Sequence, residues 1–324
     1  MIRWGVAGPG AIAHGFADAM RSVADGTIVA VASRSMERAN SYGEQFAVPS
    51  RYGDYDSMAA DPDVDAVYVA TPHSRHEEDT IGFLAAGKHV LCEKPLALNA
   101  QQARRMVDAS RRHNVFLMEA IWSRFLPAYR SLVEVLGDDR IGKPLLVSAD
   151  LGFRRPFDPE HRLFNRALGG GALLDLGIYP LQLCSLVLGE PDGVVAQGVL
   201  GDSGVDEQVV ATLRYPGAAL SVIKAALRVN LACTARISGT DGHIDVPAWM
   251  HCPNSITVTP SGSKAESIDC TYEGNGLRFE IEEVHRCLEG GRLESSVIPL
   301  DESVLLASTL DVIRSQIGVV YPGD

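Results

Sequence analysis

A lysine held in a stiff stretch of backbone is the first residue of this sequence that could do chemistry. It stands in Gly87-Lys88-His89-Val90-Leu91-Cys92-Glu93-Lys94-Pro95, where an apolar run typical of a strand ends in a Glu-Lys pair. Proline fixes its own φ and restricts the residue before it, so the Lys94 ammonium is presented from a fixed position. In an open α/β sheet, the end of such a strand lies at the edge that binds ligands. The alternative is a surface lysine at a strand end.

A second candidate group follows three consecutive glycines. The sequence here is Gly169-Gly170-Gly171-Ala172-Leu173-Leu174-Asp175-Leu176-Gly177-Ile178-Tyr179-Pro180. Asp175 and Tyr179 are four residues apart, so they share a face if that turn is helical. Pro180 fits best in a first helical turn, which predicts that the helix begins within a few residues of it. The alternative for Tyr179 is an amphipathic tyrosine of the core.

The N-terminal segment predicts a phosphate-binding loop. An apolar run, Ile2 to Ala7, precedes Gly8-Pro9-Gly10-Ala11-Ile12-Ala13, and a helix pattern follows to about Arg21. Gly8 would allow the tight turn and Gly10 would let the backbone approach a pyrophosphate, while Ala13 is small enough for helix–strand packing. The helix N-terminus would favour the anion. A glycine pair can also mark an ordinary turn, but this context favours dinucleotide binding, with Gly8, Gly10, Ala11 and Ile12 as contacts.

The end of the second predicted strand indicates which dinucleotide binds. Ile28 to Ala32 ends at Ser33-Arg34, where an NAD enzyme would carry an acidic residue about 20 residues after the glycine loop. No Asp or Glu is present there. A hydroxyl followed by a guanidinium suits a 2′-phosphate, because Arg34 can donate two parallel hydrogen bonds to it. Arg38 could add a second positive charge. The pattern favours NADP over NAD; the alternative is solvated residues at the start of a helix.

The composition excludes several classes of protein. The chain has 324 residues, of which 46% are hydrophobic and 22% charged, enough for two folded domains. The formal net charge of −12 argues against nucleic acid or an anionic membrane surface as a partner. No apolar run is predicted to reach membrane-spanning length, since Gln182 and Ser185 interrupt Leu181 to Leu188.

The cysteines and histidines give no metal pattern. The six cysteines (92, 184, 233, 252, 270 and 287) include no C-x-x-C pair and no zinc spacing. His73 and His76 stand three apart without an evident third ligand, so no metal site is predicted. Met1-Ile2-Arg3 leads directly into a strand-like run, so we expect no signal peptide, and free thiols in a reducing cytoplasm.

Two domains are predicted. Strand and helix patterns alternate over residues 1–120, which predicts a Rossmann doubly wound parallel sheet that binds the dinucleotide. Residues 121–324 predict an α+β domain with a large, mostly antiparallel sheet for substrate binding and dimerisation. Its strands include Leu220 to Leu231, and the last helix, Glu302 to Ile317, could pack back on the first domain.

These motifs together resemble the glucose–fructose oxidoreductase/inositol dehydrogenase family. The matching elements are the glycine loop, Thr71-Pro72-x-x-x-His76, the Glu93-Lys94-Pro95 stretch and the glycine-rich Ala172-Leu173-Leu174-Asp175 segment. The resemblance covers essentially the whole chain. It implies that Thr71, Pro72, His76 and Glu93 contact the cofactor, that Lys94 faces the nicotinamide and substrate, and that the Lys94–Pro95 bond is cis. It also implies a homodimer formed through the C-terminal sheet.

One departure from the family narrows the resemblance. Many relatives have Asp-x-x-x-His where this chain has Asp175-x-x-x-Tyr179, which is similar to the dimeric dihydrodiol dehydrogenases and NADP-dependent D-xylose 1-dehydrogenases. Oxidising an alcohol requires removal of its hydroxyl proton, and a free tyrosine, with a pKa of ~10, is a poor base near neutrality. An ammonium such as Lys94 would lower that pKa, so Tyr179 is the predicted acid/base. Asp175 could orient Lys94 or bond a sugar hydroxyl.

Further residues are candidates for the cofactor and substrate sites. Trp122 and Arg124 are predicted to point the same way along an extended segment towards the nicotinamide or substrate; the alternative is an aromatic plug and a surface arginine. Candidate substrate contacts also include Phe153, Trp249 and Phe279, although core packing would explain Trp249 and Phe279 equally well. Arg154, Arg155, Arg162 and Arg166 either bind substrate or solvate a loop.

The main hypothesis is an NADP-dependent oxidoreductase that transfers hydride between nicotinamide and a CH–OH carbon. A small polyol, sugar or diol would be its partner, with a D-xylose-type aldose oxidised at C1 considered first and a trans-dihydrodiol second. The alternative is a non-catalytic NAD(P)-binding sensor or regulator on the same fold. Such a protein need not keep both Lys94 and Tyr179, whose matched roles favour the enzyme.

Overall fold

The structure, a computed structural model, describes residues 1–324. The chain separates into two compact units. The first comprises Met1–Phe125 and Glu273–Val304, and the second comprises Leu126–Tyr272 and Leu305–Asp324. The assignment of residues 1–120 to the dinucleotide and 121–324 to substrate and dimerisation stays a prediction.

A six-stranded parallel sheet forms the centre of the first unit. Its spatial order is β3-β2-β1-β4-β5-β6, so the chain crosses from one edge back to the middle between β3 and β4. This order places a switch point beside β1, and open sheets bind ligands there, beyond the carboxyl ends of the strands. The strands are β1 Ile2–Ala7, β2 Gly26–Ala32, β3 Ser50–Tyr52, β4 Ala66–Val69, β5 His89–Glu93 and β6 Leu117–Ala120.

Helices connect these strands, and polar side chains cap several of them. The side chain of Ser35 accepts a hydrogen bond at the start of α2, and those of Asp54 and Asn99 do the same for α3 and α5. Such caps satisfy amide groups that the helix leaves unpaired, which fixes where each helix begins. The helices are α1 Ala11–Met20, α2 Met36–Phe46, α3 Tyr55–Ala59, α4 His76–Ala85 and α5 Ala100–His113.

The second unit contains an eight-stranded, mostly antiparallel sheet. Its order is β14-β13-β12-β11-β7-β10-β9-β8, and only β7 and β10 pair in parallel. Buried and exposed residues alternate along β9, as expected for a sheet with one covered face. Its elements are α6 Pro127–Gly137, β7 Pro144–Gly152, α7 Ile178–Leu188, β8 Gly193–Leu200, β9 Asp206–Tyr215, β10 Ala219–Ala226, β11 Ala235–Gly239, β12 Gly242–Val246, β13 Ser255–Pro260 and β14 Glu266–Asp269.

Two helices complete the chain. Helix α8, Leu277–Glu289, belongs to the first unit, where the ring of His285 stacks on Trp4 and accepts its indole N–H at 3.0 Å. Helix α9, Leu300–Ile317, has its first five residues in the first unit and the rest in the second.

One stretch, Arg166–Leu188, is long and apolar enough to cross a membrane by length and composition alone. It joins a 3₁₀ turn, a π-helical turn and α7, and 78% of its apolar window is buried inside the protein, as expected for a core helix. The prediction that no apolar run reaches this length was wrong, because it considered Leu181 to Leu188 in isolation.

The predicted fold class, a Rossmann-type parallel sheet plus a largely antiparallel second sheet, is confirmed. The predicted strand from Leu220 to Leu231 was too long, since β10 ends at Ala226. The alternation of Leu227, Val229 and Leu231 resembles a strand. The Leu227 N–H still bonds the carbonyl of Glu207 on β9 at 2.8 Å, but residues 227–229 form a bend and Val229 is exposed, so the strand does not continue.

Candidate active site

Gly8 begins the predicted phosphate loop at a position that requires glycine. Its φ is +87°, and a Cβ there would lie 2.9 Å from the carbonyl oxygen of Ala70 at the end of β4. The Gly8 N–H also donates to the carbonyl of Ala32, at the end of β2, over 3.0 Å. The loop is therefore fixed between three strand ends by a backbone conformation that side chains rarely adopt.

Gly10 serves a different purpose from Gly8. An added Cβ would meet nothing within 4 Å, so the backbone there faces open space. Gly10 is the N-cap of α1, and no side chain caps the first turn, in which Ala11 and Ile12 are exposed. Unpaired N–H groups and the helix dipole make such a terminus a site for an anion. These observations fit the pyrophosphate of a dinucleotide.

The residues predicted to select NADP lie beside this loop. Arg38 donates weakly to the carbonyl of Pro9, over 3.5 Å, which brings its guanidinium next to the glycine loop. Ser33 is buried, and its hydroxyl accepts the Ser35 N–H at 3.2 Å. Arg34 lines a cavity of about 240 Å³, whose walls also contain Tyr55, Arg75 and four carboxylates, Asp54, Asp56, Glu78 and Asp79.

Tyr55 was not identified from the sequence, although it lies close to the predicted 2′-phosphate residues. Burial raises the pKa of the Tyr55 hydroxyl, and Asp79 raises it further, whereas Arg34, Arg75 and Arg38 act in the opposite direction. The three guanidinium groups are therefore within electrostatic range of one phenol. A tyrosine at the first position of a five-residue helix gave no signal in the sequence.

The Glu-Lys-Pro stretch follows β5 at the carboxyl edge of the sheet. The peptide bond between Lys94 and Pro95 is cis, as the family resemblance implied. Glu93 is buried and accepts a hydrogen bond from the hydroxyl of Tyr68 on β4. Since β1, β4 and β5 are parallel neighbours, Lys94 follows its strand at the same edge as the glycine loop.

Two buried residues hold the backbone behind Lys94. The ring nitrogens of His76 lie 2.9 Å from the carbonyl oxygens of Pro95 and Thr71, so one imidazole joins the loops that follow β4 and β5. Burial lowers the pKa of His76, and a neutral imidazole donates only one of these bonds. His76 has no exposed surface, and both of its ring nitrogens face these backbone carbonyls. Its predicted cofactor contact stays a prediction, as do those of Thr71 and Pro72.

Glu119 is the second of these residues, and the sequence analysis missed its role. Its Oε1 accepts the Leu96 N–H at 2.8 Å, two residues beyond Lys94. Burial raises the pKa of Glu119 to about 7. Glu280 on α8 is fully buried as well, and burial, with the charge of Glu93 adding to it, raises its pKa far above the usual range. For Glu119 the sequence did contain a signal, namely an acidic residue at the end of the apolar run Phe116-Leu117-Met118.

Trp122 and Arg124 do not lie on an extended segment, so that prediction was wrong. Residues Trp122–Phe125 form a 3₁₀ helix, because the Arg124 N–H bonds back to the carbonyl of Ile121 at 3.0 Å. Arg124 is buried and forms an ion pair with Glu302, within the first unit. Phe279, on α8, also belongs to the first unit, where it is buried under the guanidinium of Arg278.

The remaining predicted residues belong to the second unit. Asp175 lies in a π-helical turn, Leu173–Gly177, which runs directly into α7 with Tyr179 and Pro180 in its first turn. The helical region therefore begins earlier than predicted, although its α-helical part starts two residues before Pro180. Proline has no N–H for the usual bond to the fourth preceding residue, and a π turn shifts that pattern by one residue.

Asp175 and Tyr179 each have a protein neighbour that the sequence did not reveal. Arg162 donates to both oxygens of Asp175, at 2.8 and 3.4 Å. The ring of Tyr179 contacts that of His251 at a centroid distance of 4.9 Å, and the ring of Trp249 lies 6.1 Å from that of His251. Trp249 is about half exposed, at 52%. Phe153, partly buried, follows β7 with its N–H bonded to the Ala226 carbonyl.

Comparison with known proteins agrees with this architecture. Residues 2–121 match the model of an oxidoreductase family with an NAD-binding Rossmann fold, and residues 129–245 match the GFO/IDH/MocA C-terminal domain. The fold and these matches define an oxidoreductase with a nucleotide-binding Rossmann domain. The chain belongs to the GFO/IDH/MocA family, which confirms the resemblance inferred from the motifs.

Three similar proteins illustrate the relationship. A trans-1,2-dihydrobenzene-1,2-diol dehydrogenase of Danio rerio is 40% identical, with 100% of this chain and 99% of the relative covered. The aldose-aldose oxidoreductase of Caulobacter crescentus, solved with glycerol, has a TM-score of 0.88 at 26% identity and covers 97% of each chain. The 3-ketoreductase of Actinomadura kijaniata, solved with NADP and TDP-benzene, has a TM-score of 0.88 at 26% identity and 98% coverage of each chain.

Proposed function

We propose that this oxidoreductase uses NADP and transfers hydride between the nicotinamide and a hydroxyl-bearing or carbonyl carbon of a small diol or sugar. The observation that carries the proposal is the arrangement at the carboxyl edge of the first sheet. There, the uncapped N-terminus of α1 and the open backbone at Gly10 share an edge with Lys94. An anion-binding turn and a fixed ammonium at one edge are what a dinucleotide-dependent hydride transfer requires.

Tyr179 is proposed as the proton-transferring group. Bound NADP would supply or accept the hydride, and the phenol oxygen of Tyr179 would take the hydroxyl proton or return it. Lys94 is proposed to stabilise the phenolate through its positive charge. Asp175 is held by Arg162 in the structure, so we assign it the fixing of local geometry and the acceptance of a substrate hydroxyl rather than the orientation of Lys94.

Two features support NADP as the cofactor. No Asp or Glu stands at Ser33 and Arg34, directly after β2, where a carboxylate would repel a 2′-phosphate, and Arg38 adds a second cation one helical turn later. The related 3-ketoreductase binds NADP in its solved complex. We propose the pocket next to Arg34 as the end of the site that faces the adenosine. Arg75 on its wall is already paired with Glu78 and Asp79, so Arg34 is the cation that we assign to the 2′-phosphate.

For the substrate we propose trans-dihydrodiols and aldoses. The relative from Danio rerio is named for a trans-dihydrodiol, and the Caulobacter crescentus structure is named for aldoses. Both classes present a secondary hydroxyl beside a second hydroxyl. An acid/base tyrosine and a carboxylate that accepts a neighbouring hydroxyl, as proposed for Tyr179 and Asp175, would suit either of them.

The test follows nicotinamide absorbance with NADP or NAD against a panel of trans-dihydrodiols, aldoses and sugar ketones. We expect turnover with NADP, a loss of kcat of at least about 10²-fold in Tyr179→Phe, and a comparable loss in Lys94→Ala. Tight NADP binding without turnover across the panel would favour a nicotinamide-binding regulator. Full activity of Tyr179→Phe would remove the proton-transfer assignment while leaving the oxidoreductase assignment intact.

We also propose a cytoplasmic homodimer formed through the second sheet. Neighbouring strands β8, β9, β10 and β7 expose a set of apolar side chains, Val195, Val199, Val210, Leu220 and Leu146. Polar residues such as Lys224 and Gln197, which pair with Val210, stand between them, and we take this mixed exposed face as the interface. Light scattering should report a dimer that Val210→Lys with Leu220→Lys converts to a monomer. Val133→Lys, an exposed apolar position on α6, is the matched control and should stay dimeric.

A further inference from the structure

Two residues distant in the sequence anchor the turn that presents Asp175. The Leu173 N–H, at the start of the π-helical turn, donates to Asp206 Oδ2 at 2.7 Å. Tyr321 donates its hydroxyl proton to the carbonyl of Gly170 at 2.5 Å. Asp206 opens β9 and Tyr321 follows α9, and all of these residues belong to the second unit. Asp206 and Tyr321 therefore each hold the glycine-rich stretch by a hydrogen bond to its backbone.

Asp206 and Tyr321 leave no room for a side chain at residue 171. Gly171 has a φ of +128°, and a Cβ there would lie 2.3 Å from Asp206 Oδ1 and 3.1 Å from the Tyr321 hydroxyl. Asp206 itself is fully buried, and its Oδ1 has no hydrogen-bond partner. A buried carboxylate oxygen left without a donor is costly, which indicates that the position of Asp206 is set by the turn that it caps.

Tyr321 is in turn fixed by its own segment. Its N–H donates to Asp324 Oδ2 at 2.7 Å, and Asp324 pairs with the buried Arg314 on α9 at 2.7 Å. The Arg314 guanidinium also lies 5.1 Å from the centre of the Tyr321 ring. The segment Tyr321–Asp324 is therefore folded against α9, with the tyrosine hydroxyl directed at Gly170.

We propose that Asp206 and Tyr321 are positioning residues for Asp175 and Tyr179. π-helical turns are rare and are frequently found at functional sites. The two anchors fix where the π-helical turn begins. They therefore fix the positions of Asp175 in that turn and of Tyr179 in the first turn of α7. This inference rests on the proposed function of Tyr179 for its catalytic consequence, although the anchoring is measurable without it.

The first test compares Tyr321→Phe with Tyr215→Phe. Tyr215 is also buried in the second unit, and its hydroxyl lies 3.0 Å from that of Ser221, between β9 and β10. Each substitution therefore removes one buried, hydrogen-bonded tyrosine hydroxyl. Loss of one hydrogen bond should lower kcat about tenfold in Tyr321→Phe and leave the substrate KM and the NADP Kd within about twofold of wild type. The control should keep the wild-type kcat at a similar loss of thermal stability.

Amide hydrogen exchange of residues 171–177 gives a readout independent of turnover. Exchange there should be about tenfold faster in Tyr321→Phe and unchanged in Tyr215→Phe. Asp206→Asn keeps an oxygen that accepts the Leu173 N–H and should retain activity, whereas Asp206→Leu should lose it.

Parallel assay of Tyr179→Phe separates the two proposals. If Tyr179→Phe is inactive while Tyr321→Phe matches wild type in kcat and in exchange, the anchoring proposal is wrong. If Tyr179→Phe is active, the acid/base role fails, and faster exchange in Tyr321→Phe still supports the anchor. An Asp206→Leu protein that fails to fold leaves the decision to Tyr321→Phe.

Discussion

Arg162 holds the carboxylate of Asp175 through both oxygens, at 2.8 and 3.4 Å. The arginine side chain is 56% exposed while that of Asp175 is only 6% exposed, so the carboxylate faces the protein and the cation covers it from the solvent side. The sequence left open whether the arginines of this loop bind substrate or only solvate it. For Arg162 the structure gives a protein partner next to Tyr179.

The first prediction concerns this pair. Arg162→Gln removes the positive charge and the paired hydrogen bonds to Asp175. The π-helical turn that contains Asp175 should then become less rigid. Because Arg162 is exposed, the pair should contribute only about 1 kcal/mol to stability. In a double-mutant cycle with Asp175→Asn, kcat/KM should show a coupling of about 1 kcal/mol, because the second substitution has no pair left to break. Strictly additive effects on kcat/KM would contradict the prediction.

The second prediction is that alanine substitutions at the two loop glycines affect stability and NADP binding differently. Gly8→Ala places a methyl group 2.9 Å from a backbone carbonyl in a left-handed conformation, so it should lower the thermal unfolding midpoint and weaken NADP binding together. Gly10→Ala adds a methyl group in open space and should leave the unfolding midpoint of the cofactor-free protein unchanged. It should still raise the NADP Kd at least about tenfold, because the methyl group occupies the approach of the pyrophosphate. Equal stability losses in the two variants would contradict this division.

Local sequence patterns predicted the parts of the site that depend on neighbouring residues. The glycine loop and the strand that ends at Glu93 follow from strand length and turn chemistry, and the structure contains both. The resemblance supplied the cis bond before Pro95 and the family. Each of these signals lies within about a dozen residues, where periodicity and capping rules apply.

The rest of the site depends on contacts between distant residues, which no local pattern carries. Glu119 reaches Leu96, Asp206 reaches Leu173, and Tyr321 reaches Gly170. The 3₁₀ helix at Trp122 was missed for a related reason, since a single turn bond decides between it and an extended chain. Such contacts form only once the sheets bring their ends together.

Cofactor selection gives the third prediction. Arg34→Ala should raise the KM for NADP about 10- to 100-fold, which corresponds to one lost charge-assisted hydrogen bond to a 2′-phosphate. The KM for NAD, which lacks that phosphate, should change by less than about threefold. Arg105→Ala, on α5 and paired with Glu77, removes a cation elsewhere on the same unit and is the control. A parallel loss of affinity for both cofactors in Arg34→Ala would show that Arg34 supports the fold instead.

The fourth prediction follows from Glu119. Burial raises the pKa of this carboxyl from 4.5 to about 7, so between these values the folded protein binds more protons than the unfolded chain. Stability must then fall as pH rises through that window, by up to roughly 3 kcal/mol for this shift. Glu119→Gln keeps an oxygen that accepts the Leu96 N–H but cannot ionise. We expect Glu119→Gln to match wild type near pH 5 and to exceed it in stability above pH 7.

Urea unfolding of both proteins at a series of pH values measures this difference. Asp206, whose pKa burial also raises to about 7, contributes its own decline to both curves, so the difference between the curves isolates Glu119. Glu266→Gln, which removes an exposed carboxylate paired with Arg140, should follow the wild-type curve. A constant offset between wild type and Glu119→Gln from pH 5 to pH 8 would mean that Glu119 does not titrate in this window. A difference that grows from about pH 5 and levels off above about pH 7 would identify Glu119 as the titrating carboxyl behind Lys94.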